Sequence, residues 1–404
     1  MPLRIPKTLS AFLLAAPLLV LGPALLEEAA AQSRETGATA PPAKTDLARS
    51  AEKSIGRGLA FLRSRQDKAS GAWLMQGEPE AGITALALTA FLRAPRDEGG
   101  GADMSKTVAW IASLAKEDGS IFAGELANYV TSAAVLALEE TDDPRFAPII
   151  AKAQKYLVRC QCDEAEGFTP DNKLYGGAGY GGADRPDLSN LAFAMDALHA
   201  SGLPKESDAY RKALVFLNRC QNSSETNKDE WKDPDTGEVF VSGNDGGGIY
   251  MPASSKAGVV TLPDGKKIPR SYGSMTYALL KCYLIAGLPK DDPRVKAAMG
   301  WIRKNFTLDE NPGFDVSADP EAAQQGLYYY YFMMAKALDL YGERTFVDGS
   351  GRERHWAREL ADKLVAIQRA DGSWINEKTR WWENVPELAT SYAVLALTHC
   401  RAHL

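Results

Sequence analysis

A unit of about sixty residues recurs along this chain. In its first copy, residues 57–66 form an amphipathic helical pattern, a turn with Gly71 and Trp73 interrupts the pattern, and residues 83–92 form an almost wholly apolar helix. The last copy repeats this order around Trp374. Because self-similarity at such a period is typical of stacked supersecondary units, it constrains the fold more than any single motif does.

Each turn carries one aromatic residue, and there are six: Trp73, Phe122, Tyr180, Tyr250, Phe314 and Trp374. The second helix of each unit is apolar on nearly all sides, so other helices must enclose it. The first helix mixes Lys and Arg with apolar positions, which suits an outer layer. The sequence therefore predicts an all-α ring of six helix hairpins, with an open solenoid of helix pairs as the alternative.

The N-terminus has the features of an export signal. Arg4 and Lys7 precede an uncharged apolar run over residues 11–26, and the alanines at 29–31 supply small residues for cleavage. A retained membrane anchor is the alternative, but two prolines interrupt the run. We expect a cleaved protein that is periplasmic or extracellular and has no stable membrane insertion after cleavage.

These boundaries divide the chain into three parts. Residues 1–31 are predicted to be a signal peptide, residues 32–50 a flexible linker, and residues 51–404 the ring. The 46 Lys and Arg residues do not exceed the 52 Asp and Glu residues, so we expect no nucleic-acid partner. The sequence gives no sign of a cofactor.

The repeat resembles the glutamine-tryptophan repeat of squalene cyclases. Gln66 precedes Trp73 in the first copy, and Gln368 precedes Trp374 in the last. From about residue 55 to residue 400 the chain is similar to the squalene-cyclase and protein-prenyltransferase family, whose fold is an alpha/alpha toroid. The resemblance is specific for the fold rather than the chemistry, because this toroid also carries zinc prenyltransferases, thioester domains and proteins without assigned activity.

Class II terpene cyclases carry an Asp-x-Asp-Asp motif at the start of an inner helix, and its middle Asp protonates an alkene. The corresponding residues here are Asp187, Leu188, Ser189 and Asn190. A serine hydroxyl cannot act as that acid, so we expect no cyclase of this type. Asp187 stays the catalytic candidate, and its structural alternative is to cap the helix that it precedes.

The other activities of the family lack their residues as well. Cys282 lies within an apolar helix, and the pair His399-Cys400 ends the last helix far from the expected mouth of the ring. Three zinc ligands therefore cannot meet at one point, and we predict neither a metal nor a zinc prenyltransferase. The Gly-Cys-Gly-Glu-Gln sequence of thioester domains is also absent.

The chain has five cysteines, of which Cys282 and Cys400 are interpreted as core residues. Cys160 and Cys220 occupy equivalent places in neighbouring units, and Cys162 lies just beyond the first. Two alternatives follow for an exported protein. Either Cys162 and Cys220 form a disulfide, or the three thiols stay free and partly buried.

Polar and aromatic side chains gather where the second helices begin, at one mouth of the predicted ring. We expect a ligand site there, since an aromatic pocket with a few polar groups at its rim is the usual design of such a site. The alternative is a packed ring whose hydroxyls are satisfied locally. The candidate ligand-binding residues are Tyr129, Asp184, Arg185, Asp187, Asn190, Arg270, Tyr272, Gln325, Tyr328 and Tyr392.

Two classes of function stay open from the sequence. The first is a ligand-binding toroid for an apolar, glycan or peptide partner outside the cytoplasm. The second is an enzyme, either a divergent terpene cyclase or a glycan hydrolase or lyase that uses carboxylates. A cyclase needs a neutral carboxylic acid in an apolar pocket, whereas a glycan enzyme needs paired carboxylates in an open cleft.

Overall fold

The computed structural model describes residues 45–181, 185–317 and 319–404. In these ranges the chain forms twelve α-helices: α1 (Asp46–Arg65), α2 (Ala81–Arg93), α3 (Ser105–Ser113), α4 (Ala127–Glu139), α5 (Ala147–Arg159), α6 (Leu188–Ala200), α7 (Asp208–Arg219), α8 (Gly273–Ile285), α9 (Pro293–Asn305), α10 (Leu327–Tyr341), α11 (Trp356–Ala366) and α12 (Pro386–Cys400). None of them combines the length and the hydropathy that crossing a bilayer requires.

The even-numbered helices form a closed inner ring. Contacts run from α2 to α4, α6, α8, α10 and α12 in turn, and α12 packs against α2 to close the circle. The odd-numbered helices lie outside, each packed against one or both of its neighbours in the inner ring. The predicted alpha/alpha toroid is therefore confirmed, and the open solenoid is wrong.

Hydrophobic patterning explains which helices lie inside. Every residue of α2 except Leu92 and Arg93 is buried, as an inner helix with partners on all sides requires. The outer helix α5 instead buries one stripe, which consists of Ile150, Ala153, Tyr156 and Leu157. A stripe at this spacing is typical of a helix with one face on the core and one in solvent.

The N-terminal boundary differs from the prediction. The predicted signal peptide, residues 1–31, and residues 32–44 of the predicted linker lie outside the described residues. Helix α1 begins at Asp46, and the Thr45 side chain caps it by accepting a hydrogen bond from the Ala48 amide at 3.0 Å. Residues 46–50 therefore belong to the first outer helix rather than to the linker.

The tryptophans of the first and last turns hold the two helical layers together. Trp73 and Trp374 are fully buried. The indole N–H of Trp73 donates to the carbonyl oxygen of Leu62 at 2.8 Å, and that of Trp374 donates to Leu364 at 2.9 Å. Each bond ties a turn to the end of its outer helix, so these tryptophans have a structural role.

The first and last units meet directly where the ring closes. The Gln368 amide donates to the carbonyl oxygen of Ser54 at 2.9 Å. Gly372 has a φ of +89°, and a Cβ there would lie 2.4 Å from the carbonyl oxygen of Arg57. Only glycine suits both the left-handed backbone and this close approach. The turn residues of the last unit thus fit against the first outer helix.

The long connection between α7 and α8 contains a small sheet that the sequence did not predict. Its strands are β3 (Glu230–Lys232), β4 (Val239–Val241), β5 (Val259–Thr261) and β6 (Lys267–Pro269), in the order β3-β4-β6-β5. The β3–β4 and β5–β6 pairs are antiparallel, and β4 pairs with β6 in parallel. Two-stranded ribbons form at β1 (Leu74–Met75) with β2 (Glu78–Pro79) and at β7 (Phe346–Val347) with β8 (Glu353–Arg354).

Of the two alternatives for Cys162 and Cys220, the disulfide is not formed in the described residues. Cys220 follows the last residue of α7 as a buried thiol, and burial raises its pKa well above the ordinary value. Cys162 lies in the turn after α5, where the Gly176 amide donates to its carbonyl oxygen at 2.8 Å. Each of the two cysteines is therefore built into the turn of its own unit. Cys282 and Cys400 are buried in the core, as predicted.

Candidate functional site

A cavity of about 360 Å³ lies inside the ring, at the end where the inner helices begin. All six inner helices contribute to its wall through residues of their first two turns. These residues are Gly82, Ile83, Leu86, Tyr129, Val130, Ser189, Asn190, Ser274, Met275, Tyr329, Leu388 and Tyr392. The cavity therefore lies at the mouth where the sequence placed the ligand site.

Half of the predicted ligand-binding residues line this cavity: Tyr129, Asn190, Tyr272, Gln325 and Tyr392. Asp184 lies outside the described residues. Arg185 and Arg270 lie beside the wall rather than in it. The Arg185 guanidinium lies 5.2 Å from the centre of the Tyr180 ring, and that of Arg270 lies 3.6 Å from the carboxylate of Asp315.

Tyr328 does not line the cavity, which corrects the prediction. Its hydroxyl donates to the carbonyl oxygen of Ile375 at 3.3 Å, and its ring packs edge-on against Tyr331. Tyr329 faces the cavity instead. Successive residues of a helix point about 100° apart, so the aromatic run on α10 can present only some of its rings to the cavity.

Asp187 caps helix α6 behind the cavity wall. Its Oδ1 accepts the Asn190 backbone N–H at 2.8 Å, and its Oδ2 accepts the Asn190 side-chain amide at 2.8 Å and the Tyr250 hydroxyl at 2.7 Å. Burial raises the pKa of this carboxyl, while the hydrogen bonds oppose the rise. Since both oxygens accept donors and neither lines the cavity, the capping interpretation is confirmed and no acidic proton faces a ligand.

Tyr180 and Tyr250, the aromatic residues of two turns, also line the cavity, although they were not among the predicted ligand-binding residues. Their hydroxyls lie 2.8 Å apart. Because Tyr250 donates to Asp187, it accepts its second hydrogen bond from Tyr180. The residue type was a signal that the sequence offered. A buried tyrosine hydroxyl needs a polar partner, whereas in the turns with a tryptophan the indole N–H finds its partner in a backbone carbonyl.

Two further hydroxyl pairs belong to the cavity wall. The hydroxyls of Tyr129 and Tyr392 lie 2.6 Å apart, and those of Ser189 and Tyr329 lie 2.9 Å apart. Burial raises the pKa values of the three tyrosines far above the physiological range. They are therefore neutral, and Phe193 packs against the rings of Tyr129 and Tyr329 at 4.3 and 6.3 Å.

The rim of the cavity exposes large apolar side chains. Trp381 is 39% exposed and Trp382 is 55% exposed, and both have positive φ angles in the loop before α12. Leu126, at the start of α4, is 44% exposed. None of these three residues was among the predicted site residues, although two adjacent tryptophans outside an apolar helix were a visible signal in the sequence. They give the mouth an apolar, aromatic edge.

Acidic groups are scarce in the wall. Glu80 is the one acidic residue among the described residues that line the cavity. Its carboxylate caps α2 by accepting the amides of Gly82 at 3.1 Å and Ile83 at 2.5 Å. Within the described ranges no group of three or more His, Cys, Asp or Glu residues is arranged to hold a metal ion.

A second polar cluster lies toward the far ends of the inner helices. Asp196 of α6 accepts hydrogen bonds from the buried ammonium groups of Lys281 and Lys336, and the Lys336 bond measures 2.6 Å. Burial, together with the charges of Lys281 and Arg93, lowers the pKa of Lys336 to about 8. This cluster joins α6, α8 and α10 outside the cavity lining.

A family comparison agrees with this architecture. Residues 75–241, about two fifths of the chain, match the family model of the squalene-hopene cyclase C-terminal domain. Over these residues the chain is similar to the squalene-hopene cyclases. No curated protein has significant sequence similarity to it.

Solved structures share the fold of this chain. A variant of the type II terpene cyclase MstE from Scytonema is 14% identical, with a TM-score of 0.51 over 89% of this chain and 99% of that chain. A second MstE variant, in complex with geranylgeranyl dihydroxybenzoate, is 15% identical over the same shares with a TM-score of 0.51. A protein from Actinoplanes is 18% identical over 87% of this chain and 99% of that chain, with a TM-score of 0.50. At these identities the likeness establishes the fold alone.

Proposed function

We propose that this squalene-cyclase-like protein binds an elongated apolar ligand in its central cavity and does not perform type II cyclisation. The observation that carries the proposal is the character of the wall. Aromatic and aliphatic side chains dominate it, and five of its six tyrosine hydroxyls pair among themselves or with Ser189 and Asp187. A cavity of about 360 Å³ lies within the usual range for small-molecule sites.

Among the described residues of the wall, no carboxylic acid stands at the position that the family motif gives to the proton donor of cyclisation. Ser189 occupies the acid position of the family motif, and its hydroxyl pairs with Tyr329. Asp187 does not line the cavity, and both of its carboxylate oxygens accept hydrogen bonds from the wall residues Asn190 and Tyr250. Alkene protonation requires a neutral carboxylic acid in contact with the substrate, so the described wall supports binding rather than this reaction.

A carboxylate-using glycan enzyme fits the cavity less well. Such an enzyme needs two carboxyl groups on opposite sides of the scissile bond. The described wall offers Glu80 alone, and that carboxylate already caps α2. A glycan or peptide ligand would also bury many polar groups against a wall that offers few partners, which is costly. We therefore favour the apolar ligand among the three alternatives.

The proposal places this binding outside the cytoplasm, on the basis of the charge and apolar pattern of residues 1–31. The full chain should be expressed with its own N-terminus in a bacterial host and recovered from the periplasm or the medium. We expect the exported protein to begin at Gln32. A cytoplasmic protein that retains Met1 would contradict this part of the proposal.

Tryptophan fluorescence provides the binding test, because Trp381 and Trp382 lie at the rim. We expect squalene and farnesyl methyl ether to change the emission of the wild type in a saturable way. Leu86→Trp should fill part of the cavity and weaken binding by at least about tenfold, since overpacking leaves no room for the ligand. Val260→Trp adds the same fluorophore on the exposed strand β5 and is the matched control. Equal titrations of the two variants would contradict the proposed site.

A further inference from the structure

We infer that the ligand carries a carboxylate at one end and that Lys256 binds this carboxylate in the cavity. The inference rests on the proposed function and adds the chemistry of the ligand's polar end. Lys256 is the one basic residue among the described residues that line the cavity. Its ammonium lies over the ring of Tyr250, 4.6 Å from the ring centre, and this ring also belongs to the wall.

The Lys256 ammonium is accessible and has no counter-ion. Within the described ranges no carboxylate pairs with it and no acceptor takes up its N–H groups, so the Tyr250 ring is its one recorded partner. It is not one of the buried polar atoms that lack a partner, and the side chain as a whole is half-buried. An ammonium has three donors, and all three are left for an anion that enters the cavity.

The loop around Lys256 is held by hydrogen bonds on both sides. The Ser255 hydroxyl donates to the carbonyl oxygen of Arg270 at 2.6 Å. The Asp315 amide donates to the carbonyl oxygen of Ala257 at 2.9 Å. Lys256 therefore lies in a segment whose backbone is already ordered. A binding group that is in place before the ligand arrives loses less conformational entropy on binding.

Two arginines add positive charge beside the cavity. The Arg380 guanidinium lies 4.9 Å from the centre of the Trp381 ring and donates to Gln325 Oε1 at 3.0 Å, and both partners line the cavity. The Arg185 guanidinium lies 5.2 Å from the centre of the ring of Tyr180, another wall residue. The whole chain has a net charge of -6, so three cations against the aromatic residues of one cavity reverse the sign locally.

The carboxylates near the cavity do not neutralise Lys256. Glu80 lines the cavity, but its oxygens accept two backbone amides at the start of α2, where the helix itself supplies positive partial charge. Asp187 does not line the cavity, and burial raises the pKa of its carboxyl, which disfavours a negative charge there. The positive charge of Lys256 is therefore left for the ligand.

A carboxylate suits this single lysine better than other polar groups do. One unpaired ammonium balances one negative charge, and its N–H groups give a carboxylate charge-assisted hydrogen bonds, which are stronger than neutral ones. A diphosphate would bring further negative charge against a wall whose described residues offer no second cation. An amine would be repelled by Lys256.

The test compares farnesoic acid, which is ionised at neutral pH, with farnesol, which has the same chain and a neutral end. Tryptophan titrations give the ratio of the two dissociation constants, farnesol over farnesoic acid. We expect Lys256→Met to lower this ratio about fivefold, as a partly exposed ion pair predicts, while farnesol affinity stays close to that of the wild type. Lys256→Arg keeps the charge and should keep the ratio.

Lys296→Met is the matched control, because it removes the same charge from the exposed surface of α9. We expect it to keep the ratio of the wild type. The hydration of each free ligand is the same in every titration, so it cancels when the ratios of two variants are compared.

The outcomes separate this inference from the proposed function. An unchanged ratio in Lys256→Met would overturn the role of Lys256, while the farnesol titrations would still support apolar binding. Equal losses in Lys256→Met and Lys296→Met would overturn it too, because the charge of the whole protein would then attract the acid. Tighter binding of farnesylamine or farnesyl diphosphate than of farnesoic acid would overturn the choice of a carboxylate. Failure of all these compounds and of squalene to bind would overturn the proposed function itself.

Discussion

Tyr250 donates a hydrogen bond of 2.7 Å to Asp187 and so connects the aromatic turn of one unit to the helix cap of the preceding unit. The bond places the Tyr250 ring in the cavity wall and occupies the carboxylate that resembles part of a cyclase motif. The same side chain therefore helps to form the binding site and directs the Asp187 carboxylate away from a catalytic role.

The cap at Asp187 should contribute more to stability than an ordinary exposed cap. Asp187→Ala leaves the Asn190 amide and the Tyr250 hydroxyl without an acceptor in a buried site, so we expect a loss of about 2–3 kcal/mol in the free energy of unfolding. Thr45→Ala removes the exposed cap of α1 and should cost about 1 kcal/mol or less. Urea denaturation measures both. Equal losses would contradict the buried network.

Closure of the ring can be tested with two glycines. A Cβ at Gly58 would lie 2.8 Å from a methyl of Val394 and 2.9 Å from the Trp374 ring, where the first outer helix meets the last unit. We expect Gly58→Ala to lower stability by about 1–3 kcal/mol through overpacking. Gly300→Ala, in the open surface of α9, should raise stability by about 0.5–1 kcal/mol. Thermal unfolding that shows a gain for both variants would contradict the closure.

The charge cluster at Asp196 should be essential for folding stability. Asp196→Ala leaves two buried ammonium groups without their carboxylate, and we expect a loss of about 3–5 kcal/mol. Asp208→Ala breaks an exposed ion pair with Arg211 and should change stability by less than about 1 kcal/mol. Chemical denaturation of the two variants at neutral pH provides the comparison. A small loss for Asp196→Ala would show that the cluster is not buried as described.

The same cluster predicts that folding stability depends on pH in the alkaline range. Burial lowers the pKa of Lys336 to about 8 from an ordinary value of 10.5. Between these values the unfolded chain binds a proton that the folded chain does not, so folding becomes more favourable as the pH rises. The stability of the wild type relative to Lys336→Met should therefore increase from pH 8 to pH 10.5. A constant difference across this window would contradict the lowered pKa.

The raised pKa of Glu383 predicts the opposite pH dependence in the acid range, where folding stability should fall as the pH rises. Its carboxyl accepts the Tyr329 amide at the start of α10 at 2.7 Å, and burial raises its pKa above the ordinary value of 4.5. Just above pH 4.5 the folded chain keeps a proton that the unfolded chain has lost. The stability of the wild type relative to Glu383→Gln should therefore fall as the pH rises through the folded pKa. Urea midpoints across this range measure the difference, and a rising difference would contradict the raised pKa.

The sequence predicted the parts of the fold that depend on hydrophobic periodicity. Inner helices such as α2 are apolar all round, and Trp73 and Trp374 mark the turns of the first and last units, so the ring followed from the pattern. The four-stranded sheet was not predicted, because its strands have three residues each and are too short for an alternating pattern.

The sequence predicted the location of the candidate site but only some of the residues that line it. Tyr129 and Tyr392 followed from their positions at the starts of inner helices. Tyr329 was missed in favour of Tyr328, because the sequence does not fix the rotation of a helix that is aromatic on several faces.

The central claim is that the cavity holds an apolar ligand without cyclising it. The purified protein should be incubated with squalene, separated from free lipid by gel filtration, and extracted for mass spectrometry of the bound fraction. We expect unchanged squalene to elute with the wild type and much less of it with Leu86→Trp. Cyclic products that disappear in Asp187→Asn would contradict the account and make Asp187 the acid.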